Sequence, residues 1–419
     1  MSKKTRSSVV KLIFNKFDLI PFETLCCFLF VDDMFKLLRA SKVIRVKVYK
    51  AGSSHATVND YKIAQRLMAT FPKISLYTPE DFTRYENIAI MTLTRLVSLS
   101  FHTAWTGLDY NEPFYAQLKY LTNLTKLSFS VNGPNGDSIV QLPKLKILEM
   151  YHNSTITDAH IKMVTTLTEF SIDNCKLSDE GLMYLTNLKR LDLSNNKNIT
   201  GKFLTALTQL NSLRLGWHND TLDCMNLIGL TCLRELVISG PSIETHILVQ
   251  LTFLEKLSIC VTVHGFDDIA LLNLQRLTSL SVTGNSALSG NTLCKLVGLR
   301  HLRLQCTEIE GKYLRKLSLL SHLEIGNNAH IKGHLSGLTA VTNLVLFSDN
   351  MAFHRGFGGL KNVEVISIDS YRIFMITIKD FLRFKKLKRI IARKNFLEML
   401  GGTDLLLEKR KIEIVLMEE

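Results

Sequence analysis

Apolar residues recur along this chain in a nine-position frame, Leu-x-x-Leu-x-Leu-x-x-Asn, with Ile, Val or Phe admitted at the Leu places. The clearest copy, LKRLDLSNN, begins at Leu188. Others begin at Leu96, Leu124, Leu145, Leu167, Leu210, Leu233, Leu254, Leu277, Leu299, Leu320, Val341, Val363 and Leu387, fourteen in all. Twelve steps cover the 263 residues from Leu124 to Leu387, about 21.9 residues each, and every step lies between 21 and 24. Within a copy, Leu191 and Leu193 stand two apart, so a short strand turns both to one side and Asp192 to the other. One turn cannot bury that side alone. Parallel stacking of successive turns pairs each strand with the next and lays the Leu ladders into one core, while a polar ninth residue can satisfy the backbone where the chain turns. Asn132, Asn153, Asn196, Asn285, Asn328 and Asn395 hold that place and Cys175 fits it, whereas His218, Pro241, Thr262, Thr307, Asp349 and Tyr371 depart from it.

Between frames, segments such as LSDEGLMYLTNL, ITDAHIKMVTTL and IEGKYLRKLSLL repeat apolar residues at three and four positions, often after a Ser, Thr or Asp suited to capping. This spacing predicts about two helical turns per repeat on the convex side. The chain resembles the leucine-rich repeat family over 91–395, and its SDEGL-type segments are most similar to those of cytoplasmic F-box and leucine-rich repeat proteins. The expected fold is α/β: a right-handed leucine-rich repeat solenoid with a parallel sheet on the concave face, short helices on the convex face and a small helical N-terminal module. Its expected divisions are 1–50 for the module, 51–90 for degenerate first repeats or a cap, 91–397 for the solenoid and 398–419 for a C-terminal cap. Val43 to Val48 and Ile74 to Tyr77 alternate as strands do, Ala51 to Asp60 reads as a loop, and Lys411 to Leu416 reads as a last strand.

The N-terminal stretch IPFETLCCFLFVDDMFKLLRASKVI, from Ile20 to Ile44, has a Pro at a helix start, an acid two residues later, an apolar helix, an Asp-apolar step and a second helix. That order resembles an F-box. Pro21 and Glu23 match the opening, Leu25 and Phe28 the first apolar face, Asp33 and Met34 the Asp-Leu step, and Ala40, Ser41 and Lys42 the closing Val-Ser-Lys. The interval from Pro21 to Asp33 is about three residues shorter than in the family, and Ile44 stands where an aromatic is usual. The resemblance implies that Pro21, Leu25, Phe28, Asp33 and Met34 dock the adaptor subunit of a cullin-based ubiquitin ligase. A plain helical cap is the other reading of the same residues.

Composition narrows the function. With 46% apolar residues in 419, the chain can bury a continuous core, yet its densest apolar run, Thr24 to Val31, is far short of the roughly 20 residues that cross a bilayer. Lys11 and Lys16 interrupt the apolar part of the N-terminus, which makes a poor secretory signal, so a cytoplasmic location is expected, with the nucleus also open. The eight cysteines show no C-x-x-C pair and read as small buried apolar residues. Asn-x-Ser/Thr triplets at Asn123, Asn153, Asn198 and Asn219 carry little weight without a signal peptide. No phosphate loop, G-x-S-x-G turn, H-E-x-x-H pair or dinucleotide fingerprint occurs, so neither catalysis, a metal nor a cofactor is expected.

The surface that remains is the concave sheet. The residue between the two Leu of each L-x-L step is Ser in six frames and is otherwise of mixed charge, which suits a protein or peptide target better than a polyanion. The turns from Leu145 to His218 gather Tyr151, His152, Asp173, Arg190, Asp192, Arg214 and Trp217, and Tyr, Trp and Arg are the usual hot-spot residues. A second group, His301, Arg303, His322 and Glu324, reads as a solvated face with compensating charges. The net charge of +13 raises a nucleic-acid or anionic-membrane reading, although the basic run from Arg383 to Lys394 falls on the surface of a terminal turn, where it would keep the solenoid soluble. Nucleic acid is thus an unlikely partner by sequence, and a monomer is expected outside any complex.

Overall fold

The computed structural model describes residues 55–57, 64–65, 68–69, 75–77, 90–102, 115–130, 133–219, 221–239, 243–260, 266–284, 287–328, 331, 335, 337–347, 360–369, 381–400 and 411–417. The chain divides into two compact units, Met1–Asn187 and Leu188–Glu419. In the first unit, strands β1 (His55–Thr57), β2 (Ser75–Tyr77), β3 (Leu96–His102), β4 (Lys126–Ser130), β5 (Ile147–Tyr151) and β6 (Glu169–Asp173) pair consecutively and in parallel. In the second, β7 (Arg190–Ser194), β8 (Ser212–Leu215), β9 (Glu235–Ile238), β10 (Lys256–Cys260), β11 (Ser279–Thr283) and β12 (His301–Gln305) do the same. The row continues through β13 (His322–Gly326), β14 (Asn343–Phe347), β15 (Val365–Asp369), β16 (Arg389–Ala392) and β17 (Glu413–Leu416).

All fourteen frames thus carry a strand, and the registers run Leu to Leu: Leu191 faces Leu213, and Leu213 faces Leu236. Leu193, Leu213, Leu215, Leu236 and Ile238 are fully buried. Each such side chain removed from water contributes about 1.5–3 kcal/mol. The last strand falls where Lys411 to Leu416 predicts one. The Ala51 to Asp60 segment, expected as a loop, contains β1 at His55–Thr57, so the row begins earlier than the first regular frame. The strand expected at Val43 to Val48 lies outside the described residues.

The returning segments are shorter than the two helical turns expected. They form single turns of α-helix, α1 (Gly136–Val140), α2 (Asp158–Ile161), α3 (Asp179–Leu182), α4 (Thr245–Leu248) and α5 (Gly311–Leu314), or single 3₁₀ turns such as Lys202–Ala206; the seven-residue α6 (Lys394–Leu400) is longer. The reason lies in a period of three. Leu204, Leu207 and Leu210 are all buried, and the Leu207 and Leu210 N–H groups each donate to the carbonyl three residues back. The same ladder recurs through Leu314, Leu317 and Leu320. A spacing of 3.0 matches a 3₁₀ path rather than the 3.6 of a sustained α-helix, and 3₁₀ runs stay short.

The opposite corner, after each strand, is set by backbone sterics. His152, Asn174, Asn195, His218, Cys306 and Asn327 all have φ between 44° and 58°, and Gly284 has φ 73°. Asn and Gly tolerate this left-handed conformation best, which explains their prevalence just before the ninth place. Beyond it, the polar ladder closes the corner. Asn219 is buried; its Nδ2 donates to the Leu193 and Gly216 carbonyls (3.0 Å each), and its Oδ1 accepts from the Asn196 N–H (3.1 Å). Asn328 Nδ2 donates to Thr307 Oγ1 at 2.5 Å, both residues being buried, so the threonine keeps the ladder in a turn that lacks Asn. Two expectations change: the ladder residue after β8 is Asn219 and not the exposed His218, because the left-handed residue sits one place later there, and Asn395 lies exposed in α6.

Candidate functional site

The adaptor-docking residues Pro21, Leu25, Phe28, Asp33 and Met34 lie outside the described residues. Of the seven residues singled out on the sheet, three belong to the first unit and four to the second.

In the first unit Tyr151 faces Asp173 across β5 and β6, both partly exposed. His152 has already left the strand: its N–H donates to the Asp173 carbonyl (2.8 Å), and its ring Nδ1 accepts from Asn174 Nδ2 at 2.9 Å. Lys126 and Glu149 pair at 2.7 Å on the same sheet. In the second unit Asp192 and Arg214 face each other in register and pair at 3.1 Å, with Arg190 exposed at the start of β7. Trp217 is 50% exposed, and its carbonyl accepts from the Asn195 N–H at 2.9 Å. The residue before it must be glycine, because a Cβ on Gly216 would stand 1.9 Å from Ser194 Oγ. A half-exposed indole is therefore anchored through its backbone three residues after Arg214.

The second group is more closely connected than its sequence suggests. Arg303 pairs with Glu324 at 3.4 Å, the charge compensation expected, and its guanidinium lies over the Phe347 ring at 4.5 Å. The stack was not foreseen; its sequence signal is Gly326, the register partner of Phe347, since a Cβ there would lie 2.5 Å from the ring. The His301 and His322 rings stack at 4.3 Å. His322 Nε2 sits 3.0 Å from Asn343 Nδ2 and Nδ1 sits 2.9 Å from Ser321 Oγ, whose hydroxyl donates to the Arg300 carbonyl. These partners favour a neutral ring with its proton on Nδ1. Burial pushes the His322 pKa down, the His301 ring adds to this, and Glu324 opposes it.

Four of the seven cations in the basic run at the C-terminal turns pair with acids. Lys388 pairs with Glu364 and Arg389 with Glu413 at 2.7 Å, Arg393 with Asp369 at 2.8 Å, and Lys394 with Glu398 at 3.9 Å. Among the Asn-x-Ser/Thr triplets, Asn153 and Asn219 are buried, so neither amide is open to modification in the folded chain. Cys175 and Cys224 are buried as expected, and burial, aided by Asp223, pushes the Cys224 thiol up to about 12. Cys232 and Cys306 are exposed, against the general expectation, at corners where the side chain points out. Among the described residues no three His, Cys, Asp or Glu form a group that could hold a metal, and no helix is long and apolar enough to cross a membrane.

No family model and no curated protein matches the chain. Solved structures do. An internalin from Listeria monocytogenes is 23% identical at a TM-score of 0.45, covering 65% of this chain and 88% of that one. TLR13, solved in a complex with ssRNA13, is 20% identical at 0.49, and the match covers 81% of this chain but only 52% of that one. A leucine-rich repeat protein of Leptospira interrogans is 18% identical at 0.50, covering 79% of this chain and 98% of that one. The last likeness bears on fold alone, and together with the 21 to 24-residue period, the in-register parallel strands and the buried leucine ladder it establishes a leucine-rich repeat solenoid.

Proposed function

We propose that this protein is a non-enzymatic recognition scaffold that holds a protein or peptide target on the outward face of its sheet. The observation that carries the reading is the outward face of β7 and β8, which bears the in-register Asp192–Arg214 pair and the exposed Arg190, with the half-exposed Trp217 three residues after Arg214. Aromatic and guanidinium side chains of this kind supply most of the energy at protein interfaces. A polyanion ligand on this face is disfavoured, since Arg214 and Arg303, the two cations at the central outward place of β7–β16, are each matched by an acid on the neighbouring strand. The Tyr151–Asp173 surface of the first unit is a second contact area for the same target or another.

The finer form of the proposal is a substrate receptor. The residues 20–44 bind the adaptor of a cullin-based ubiquitin ligase through Pro21, Leu25, Phe28, Asp33 and Met34, and the sheet face presents the target. Its support is the sequence resemblance alone. The test is a pulldown of the full chain with the purified adaptor, using Pro21→Ala/Leu25→Ala/Phe28→Ala as control. Binding that is lost in the folded triple variant establishes the receptor. No binding by the wild type removes the ubiquitin role and leaves a recognition scaffold, whose target contact Arg214→Glu/Trp217→Ala should still abolish.

A further inference from the structure

Over six successive turns of the second unit the returns differ in charge from the stretches between them. Six returns close at Leu277, Leu299, Leu320, Val341, Val363 and Leu387; taken from six residues before each of these to one after, they hold ten Lys or Arg and a single acid, Glu364. The stretches of sequence between them, 261–270, 284–292, 306–313, 327–334, 348–356 and 370–380, hold five basic and six acidic residues. The excess is therefore confined to one corner. That corner is continuous, because the residues just before the strands are linked turn to turn by backbone hydrogen bonds: Arg300 N–H donates to the Thr278 carbonyl, Ser321 N–H to that of Arg300, and Thr342 N–H to that of Ser321. At about 4.8 Å per strand, the six turns extend about 24 Å.

Aliphatic tips stand among these cations. Leu272, Val297 and Leu319 are 41%, 56% and 49% exposed, in three successive returns that also carry the exposed Arg276, Arg300 and Lys316. Phe253 extends the row, flanked by Arg234 at 5.0 Å and Arg276 at 4.7 Å. Cations at the ends of short helices offset carbonyl dipoles, which accounts for one or two per turn. It does not account for a ten-to-one imbalance, nor for leucine and valine tips turned to water beside it.

We propose that this corner of the second unit rests on an anionic lipid surface, with the Lys and Arg heads at the phosphates and the Leu272, Val297 and Leu319 tips entering the headgroup boundary. Basic residues interleaved with aliphatic ones suit a bilayer, which needs no stereospecific partner for each charge. A single-stranded nucleic acid would call for aromatic stacking platforms, and among the described residues the corner exposes only the Phe253 ring. The surface is distinct from the sheet face, so a membrane-bound chain keeps its recognition face free.

The test is flotation of the full chain with vesicles of pure phosphatidylcholine and of phosphatidylcholine with 30% phosphatidylserine. Binding is expected to the anionic vesicles alone and to fall with salt. Arg276→Gln/Arg300→Gln/Lys316→Gln should weaken it roughly 100-fold, and Val297→Ser/Leu319→Ser should weaken it several-fold at unchanged net charge. Gln at Lys197, Lys256 and Lys312, which lie outside this corner, serves as the charge-matched control. All these side chains are exposed, and an unchanged melting curve verifies each variant. Wild type that binds neither vesicle, or a triple Gln variant that binds like the control, overturns the proposal. A loss with the cation variant but none with the apolar one overturns the lipid assignment in favour of a soluble polyanion, nucleic acid included.

Discussion

The two corners of a repeat turn solve the same problem by different means. After the strand, the chain reverses through a left-handed residue and a buried polar ladder, so that sterics and hydrogen bonding fix nearly every position. Before the strand, it returns through leucines spaced by three, each hydrogen-bonded to the carbonyl three back, and the residues between them face water. The first corner spends its residue identities on closing the backbone. The second constrains one residue in three and leaves the others open to selection for charge, which is why the surface bias of the second unit accumulates there.

The largest expected effect separates the corners directly. Asn219→Leu removes the Asn219 partners of the Asn196 N–H and the Gly216 carbonyl, while the Leu193 carbonyl keeps the Gly216 N–H at 2.6 Å, which should cost about 2–4 kcal/mol at roughly 1–3 kcal/mol per group. Arg300→Gln, at the other corner, should stay within about 0.5 kcal/mol. Urea denaturation of both variants measures the contrast, and equal costs would remove it. Between the two corners, at the entry to the returning segment, Gly290→Ala comes next. Gly290 has φ +93°, and a Cβ there would meet the Tyr313 ring at 2.7 Å, so the substitution should cost about 1–2 kcal/mol from the backbone conformation alone, with the contact in addition. A stability change below that would mean the backbone there can shift to an ordinary conformation.

A smaller effect belongs to the sheet face. Asp192 and Arg214 are both partly exposed, so a double-mutant cycle should find a coupling below about 1 kcal/mol in stability. The same pair should matter more for binding a target than for folding. A coupling well above that value would make it a structural pair and weaken its place in the recognition surface.

The fold was legible because a strict period leaves little freedom: once Leu191 and Leu193 repeat every 21 to 24 residues, parallel stacking is the arrangement that buries them. What escaped was local. Helix length was overestimated because three-residue and four-residue spacings look alike over one turn, whereas the hydrogen bonds of Leu207 and Leu210 follow the shorter path. The shift of the ladder from His218 to Asn219 could not be read, since it depends on which residue goes left-handed. The Arg303–Phe347 stack joins residues 44 apart in sequence and requires the register that places Phe347 over Gly326. The surface around Trp217 was legible as residue types but not as geometry: Gly216 and Ser194 had given no sign that they hold its backbone in place.

The smallest effect concerns a titrating element on the sheet face. His322 is neutral in its hydrogen-bonded arrangement, and its pKa lies below the ordinary 6.5 because of burial first and the stacked His301 second, against the pull of Glu324. The other charge facing it is Arg303, already paired with Glu324, while Ser321 and Asn343 are neutral. As the pH falls below about 6.5 the unfolded chain takes up a proton at this residue before the folded one does, so folding stability declines until the pH passes the lowered folded pKa and then levels. His322→Gln should therefore lose less stability than the wild type between pH 7 and 5. His301→Gln, which removes the neighbouring imidazole, should move the His322 titration upward when followed by NMR of the ring protons. Parallel pH–stability curves for wild type and His322→Gln would show that burial and stacking leave His322 without effect on folding over this range, and that the sheet face is electrostatically as unconstrained as the returning corner.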